Sequence, residues 1–505
     1  MRHYLGLNEF QLRQRKIVEA MYYEPEKLTT SHLLLCGASG TGKSFQSKRL
    51  LQAAAEAGLE VDVFDVHAEL AFPGAVEVMY SRATGYGHNP LALDTDIHTG
   101  GVQRQVDFIV GLIKSVTPQF GAKQEAALRN LLVDTYAASG IFENDSRTWH
   151  RQHITEQLRT QITDARKWSE LRKYYPTLED LRSFARRKVI GLTIGADNKA
   201  AASYDTLARV QSRLNNAQKR FGKAVDDAEI ARLQEQIDTL KQEAIDAFTK
   251  HINSIETGKE VEDRIKYDSV EVLTSVLQRI DILNAAGIFR PNEPPFGDAR
   301  QRVHQIKSLT EEQQILFVKL RLQAIFERWK RVGPTESGTT LRHAIFLDEG
   351  SRYFTDDPSD IINVIAKEAR KFGIGLWCAA QAPTAFPEDF LTNCGATILL
   401  GIHSTYWKKS ASMLRVTEDS LRFIRPKEVL SIKLQHEGRA DPPFINVAVP
   451  NPNSADGRTA LEVQAKEQGR SGGGATLIAS RPPAVESTVR GVESDDGLAD
   501  EILLD

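Results

Sequence analysis

The residues that first invite chemistry are Gly37-Ala-Ser39-Gly40-Thr41-Gly42-Lys43-Ser44. They match G-x-x-x-x-G-K-[ST] in full, the pattern of a loop that wraps phosphates. Its glycines let backbone N–H groups curl around an anion, and the helix that follows points its positive end at the same place. Lys43 would then reach the β- and γ-phosphates and the Ser44 hydroxyl would ligate Mg²⁺, so ATP and Mg²⁺ are the expected cofactors. A second pair, Asp348-Glu349, ends the apolar run His343–Leu347. A strand-end Asp holds the Mg²⁺ shell in phosphate-loop enzymes. A Glu directly after it can polarise a water, which favours hydrolysis over a kinase-like transfer.

Gln381 ends a third apolar run, Gly375–Ala380. That is the sheet edge where ligands of parallel α/β proteins bind, close to the γ-phosphate. Arg370, next to Lys371, lies on a helical pattern between these runs. It is a candidate arginine finger for a neighbouring subunit's phosphate, with Arg342 and Arg352 as competitors. Asp65 and Glu69, in Asp65-Val-His67-Ala-Glu69, follow another strand pattern. They are candidates for the nucleotide or metal shell, and helix-capping acids are an equal alternative.

Such groups need a sheet to hold them. Ser31–Cys36 reads as a buried strand, Ser44–Ala57 as a helix and Leu59–Val66 as a second strand, the opening of a parallel α/β sheet. Strand patterns return at His343–Leu347, Gly375–Ala380 and Ala396–Leu400. The predicted fold class is therefore α/β, with a mainly helical region inserted between two halves of the sheet. The expected division is a lead-in over 1–30 with one helix around Glu9–Tyr22, a first half of the core over 31–100, a helical region over 101–334, and a second half over 335–450. Residues 451–505 read as a flexible tail with an acidic end, because Gly472–Gly474 and Pro482-Pro483 break any pattern there. Near 203–250, Leu207, Leu214 and Phe221 repeat in heptads with Val210, Ala217 and Ala224. After Asp226-Asp227 the register restarts with Ile230, Ile237 and Ala244 against Leu233, Leu240 and Ala247. The shift predicts an antiparallel hairpin or a stutter.

Composition narrows the classes. The 505 residues carry 64 Lys plus Arg against 67 Asp plus Glu, a net charge of −3, so a histone-like basic binder is excluded. Three separated cysteines and 12 histidines without ligand spacing argue against a disulfide scaffold or a zinc enzyme. No apolar run approaches the ~20 residues that span a bilayer. The N-terminus lacks a signal-peptide core. A cytoplasmic location without direct membrane insertion is expected.

Together the phosphate loop, Asp65-x-His67-x-Glu69, Asp348-Glu349, Glu368-Ala-Arg370-Lys371-Phe-Gly373 and Ala380-Gln381-x-Pro383 resemble the HerA/FtsK superfamily of ring-shaped DNA-pumping ATPases, HerA most. His88-Asn89-Pro90-Leu91 and Pro176–Leu181 are similar to the conjugative-transfer ATPases of that superfamily. Val66 and Ala68 stand where the usual acidic motif has Pro and Gly, and Ala380 where a Thr is common. The resemblance implies a RecA-like core in a hexameric ring, with Lys43, Ser44 and Asp348 in cis, Glu349 activating water and Arg370 acting from the next subunit. Duplex DNA would be the sequence-independent partner. The expected function is an ATP-hydrolysing DNA translocase or helicase. Two alternatives stand beside it. One is the energising ATPase of a conjugation or secretion-like apparatus. The other is a nucleotide-gated scaffold for a nuclease or effector.

Overall fold

Four consecutive apolar residues, Leu33–Cys36, suit a strand covered on both faces. The computed structural model buries all four as strand β3. The structure describes residues 1–117, 119–194, 198–222, 227–254, 265–267, 269–336, 340–467 and 469. Helix α1, Lys43–Glu56, follows β3. Strand β4 is Glu60–Asp65, β7 is His343–Leu347, β8 is Ile374–Ala380 and β9 is Ala396–Leu399. Each lies within a residue or two of its expected place.

With β1 (His3–Asn8), β2 (Ala20–Tyr23), β5 (Val76–Met79), β6 (Gln301–Gln305), β10 (Val429–Leu434) and β11 (Ile445–Ala448), these strands form, among the described residues, one 11-stranded sheet of order β2-β1-β11-β10-β9-β3-β8-β7-β4-β6-β5. From β9 to β5 every pairing is parallel. The flank of β10, β11, β1 and β2 is antiparallel. The expected α/β class holds, and the core reaches further along the chain than expected.

The helix expected around Glu9–Tyr22 is instead the β1–β2 pair, joined through a single wide turn at Gln11–Arg15 that buries nothing. The strand form wins because β1 is buried along its length and pairs with β11 as well as β2. The helical region is interrupted by β6, Gln301–Gln305, which inserts between β4 and β5 (Val76–Met79). Its sequence, Gln-Arg-Val-His-Gln, is too polar to read as a strand; buried charge partners explain it, as described below. The tail begins later than expected, since Ala455–Glu467 is a helix that packs on β1, where Ala460 is buried against Leu7. The rest of the expected tail, including Gly472–Gly474 and the acidic end, lies outside the described residues.

Between β5 and β6 the chain is mostly helical. Helices Asn198–Phe221 and Asp227–Ser254 run antiparallel. Arg213 meets Glu243 at 3.2 Å, and Ala217, Ile237 and Leu240 are buried with Leu214 and Phe221 against them. The register shift is therefore a hairpin. Ala224 lies outside the described residues. Asn89 Nδ2 donates to the Pro176 carbonyl at 2.9 Å, so the two segments with conjugative-type similarity touch. Gln105 and Tyr136 donate to the Pro90 and Leu91 carbonyls and tie the helices to the same strand-end segment.

Candidate nucleotide-binding and hydrolysis site

The phosphate loop leaves the carboxyl end of β3 between two neighbours. Gly37 N–H donates to the Ala380 carbonyl at 3.0 Å and Ala38 N–H to that of Gly401 at 2.8 Å. Its first glycine is sterically required: a methyl on Gly37 would lie 2.4 Å from Thr41 Oγ1 and 2.9 Å from Leu400 Cβ. Gly42 has φ +98°, a conformation that side-chain-bearing residues rarely adopt, and it caps α1. Ser39 and Gly40 are exposed at the tip, while Thr41 is buried and donates to the Ala38 carbonyl at 2.7 Å. The first N–H groups of α1 have no intrahelical acceptor, as at any helix start, and they face the loop.

Lys43 and Glu349 form an ion pair across the site, Nζ to Oε1 2.6 Å, each side chain 16% exposed. Glu349 is held in the left-handed region, φ +47°, just past the end of β7. That conformation is disfavoured for a non-glycine by about 1 kcal/mol or more, and such residues concentrate at functional sites. Gly350 follows against Cys378; a methyl there would lie 3.0 Å from Cys378 Cβ. Asp348 lies alongside with its carboxyl buried. Burial pushes its pKa up to about 6; Lys43 and His67 pull it down, and Glu349 and Asp65 push it up further. The His67 Nε2 is 4.0 Å from Asp348 Oδ2. Ser44 Oγ donates to Glu69 at 3.2 Å. The structure thus brings Lys43, Ser44, Glu69, Asp348 and Glu349 to one edge of the sheet.

Asp65 sits at the same edge with a different task. Its carboxylate accepts from the His67 N–H at 3.1 Å and the Leu70 N–H at 2.7 Å, and it is fully buried. It shapes the loop that presents His67 and Glu69, and no helix follows for it to cap. Gln381 is exposed directly after β8, and its side chain has no hydrogen bond among the described residues. Arg370 is elsewhere. It lies on the turn Ala369–Phe372 before β8 and pairs with Glu437 at 3.1 Å. The seven residues of β8, at ~3.3 Å each, separate it from its own phosphate loop. Arg342 shares that far edge and donates to the Gly333 carbonyl at 3.1 Å, while Arg352 is on the near edge, bonded to Gln314 at 2.9 Å. Sequence reasoning missed the turn Arg425–Glu428, which abuts the loop: a methyl on Gly42 would lie 3.7 Å from Lys427 Cγ. Nothing in its local pattern marks it, because the contact depends on β9 and β10 bringing it back.

The donor set suits Mg²⁺ held together with a nucleotide. Ser44 and Asp348 offer hard oxygens, and Mg²⁺ takes one or two protein oxygens plus phosphate. No cluster of three or more His, Cys, Asp or Glu that could hold a metal alone occurs among the described residues.

The family model of the helicase HerA central domain matches residues 12–286. The chain belongs to that family. No curated protein matches this HerA-family chain in sequence. Among solved structures, it is similar to VirB4 of Thermoanaerobacter pseudethanolicus at 13% identity and a TM-score of 0.51, covering 89% of this chain and 97% of that one. It is also similar to the plasmid coupling protein TrwB in complex with the non-hydrolysable ATP analogue ADPNP, at 11% identity and a TM-score of 0.45, covering 89% and 93%. The VirB4 likeness covers more of the chain than the HerA match and shows the shared RecA-like fold of P-loop ATPases. This chain is thus a P-loop ATPase of the HerA family. None of its helices, among the described residues, is long and apolar enough to cross a membrane.

Proposed function

We propose that this protein is an ATP-driven translocase or helicase of duplex DNA, working as a homo-oligomeric ring, with six subunits as the expected number. The observation that carries the reading is the Lys43–Glu349 pair beside Ser44 and Asp348, at the phosphate loop of a HerA-family chain. In this structure the pair neutralises itself. A nucleotide would draw Lys43 to its β- and γ-phosphates and release Glu349. The freed carboxylate, already aimed over the loop, would accept the proton of the attacking water. Ser44 and Asp348 would hold Mg²⁺, which neutralises phosphate charge when bound. Gln381 would orient the water or the γ-phosphate. Arg370, remote from its own loop, fits a finger that acts on the next subunit, where it would leave Glu437 for phosphate. Asp65 and Glu69 would serve the nucleotide indirectly, through the loop and the Ser44 hydroxyl.

DNA would be gripped by its phosphates, so binding is sequence-tolerant and salt-sensitive. The test is ATP hydrolysis with and without duplex DNA across a salt series. Stimulation that falls steeply with salt is expected. Glu349→Gln should lower turnover by about 10²–10⁴-fold and leave nucleotide binding intact or tighter, because Lys43 loses its partner. Hydrolysis indifferent to every form of DNA would sink the translocase reading.

A second reading is the energising ATPase of a conjugation- or secretion-type apparatus. The Asn89–Pro176 contact supports it, since it joins the two segments with that similarity. Its partner would be a transfer channel, whereas the translocase would pair with a nuclease or similar effector.

A further inference from the structure

Beside the phosphate loop stands a cation that none of the motifs assigns. The turn Arg425-Pro426-Lys427-Glu428 closes with Glu428 N–H donating to the Arg425 carbonyl at 3.0 Å. Lys427 has φ +66°. The residue after proline in such a turn is usually Gly or Asn, because a side chain disfavours this conformation. A lysine has been placed where glycine would fold more easily.

The turn is fixed from three sides. Arg425 pairs with Glu9 at 2.7 Å. Asn451 Nδ2 donates to the Lys427 carbonyl at 2.9 Å. Pro426 rests on Gly401, where a methyl would lie 3.3 Å from Pro426 Cγ, and Gly401 in turn accepts from Ala38 of the loop. The same turn sets the stem of Lys427 over Gly42, the cap of α1. Its ammonium, three bonds beyond that contact, has no hydrogen bond or ion pair among the described residues, and the residue is exposed. Lys43, by contrast, is held by Glu349.

We propose that Lys427 is a second lysine of the nucleotide site, supplying a cis cation to the phosphate chain of a bound nucleoside di- or triphosphate. The proposal rests on the phosphate-loop reading above. A flexible ammonium next to a helix N-terminus adds charge to a site already built for anions, and the rigid turn limits the freedom it must lose on binding. Lys427 is a binding and positioning residue, and it takes no part in proton transfer.

The test is fluorescence titration of the full chain with methylanthraniloyl-ADP and -ATP, together with thermal melting. Lys427→Gly suits the backbone and removes the amine. It should weaken binding about tenfold, the scale of one charged contact, with a melting temperature equal to or above that of the parent. Lys427→Arg should retain most of the affinity. Unchanged affinity in Lys427→Gly overturns the proposal and leaves the phosphate-loop reading standing, provided Lys43→Ala abolishes binding. Affinity lost together with melting temperature, and not kept by arginine, also overturns it in favour of a structural turn. A parent protein that binds neither nucleotide overturns both readings.

Discussion

Asp62 and Asp348 are buried carboxylates, one on β4 and one just past the end of its neighbour β7, and they live under opposite conditions. Asp62 is surrounded. Arg302 meets it at 2.6 Å, His304 at 2.7 Å and His343 at 2.9 Å. Around these, Trp329 donates to His343 Nδ1 at 2.8 Å, Tyr80 is 2.9 Å from His304 Nδ1, and Glu60 takes Arg302 and Arg328. Burial alone would raise the Asp62 pKa, but its bonds to His304 and His343 hold it well below the usual carboxylate range. Asp348 has no such shell. Burial pushes it up to about 6, and its nearest basic groups, Lys43 and His67, do not offset this. A buried charge surrounded by basic groups is architecture. A buried charge left short of partners, at the carboxyl edge of parallel strands, is waiting for a ligand.

That contrast can be broken by substitution. The largest effect should come from Asp62→Asn, which removes the anion shared by Arg302, His304 and His343 and leaves Arg302 with Glu60 alone. A loss of about 3–5 kcal/mol in urea unfolding is expected. A loss under about 1 kcal/mol would mean that the network is not load-sharing and the contrast is false. Asp348→Asn should have the opposite sign. The raised pKa means the folded state holds a proton that the unfolded chain releases, so ionisation costs stability as pH rises through about 6. Asparagine removes that cost, so the nucleotide-free protein should gain about 1–3 kcal/mol at pH 8, shrinking toward zero near pH 4. Thermal melts at the two pH values measure it; a loss at pH 8 would refute the reading. The smallest effect belongs to an ion pair that is neither buried nor at the site. Arg213→Ala on the hairpin, whose side chain is 63% exposed against Glu243, should change stability by no more than about 0.5 kcal/mol.

The legible part of the molecule was the part whose partners are near in sequence or repeat with a period. The phosphate loop, β3, β7, β8 and β9 could be placed because apolar runs of this length that end in glycine or a polar residue have few other uses. The hairpin could be placed because its heptads restart. β6 could not, because Arg302 and His304 are polar in sequence and become core only when Asp62 and Glu60 arrive from β4. The β1–β2 pair was illegible for a related reason: a strand with β11 as partner looks like a short amphipathic stretch until the partner is known. In sequence Asp65 fits a ligand and a cap equally well; in the fold the N–H groups of His67 and Leu70 take both its oxygens.

The sequence by itself determined that a phosphate loop exists, that an acidic pair ends a strand, and that both belong to a split parallel sheet. Those are local facts, set by steric need at glycines and by runs of apolar side chains. Tertiary structure alone decided which charges meet. It set Glu349 on Lys43 across 306 residues of chain, put Arg370 at the far edge from its own loop, and brought Lys427 over Gly42. Electrostatic partners are chosen by distance in space, and only the folded sheet, with its order of strands, fixes that distance.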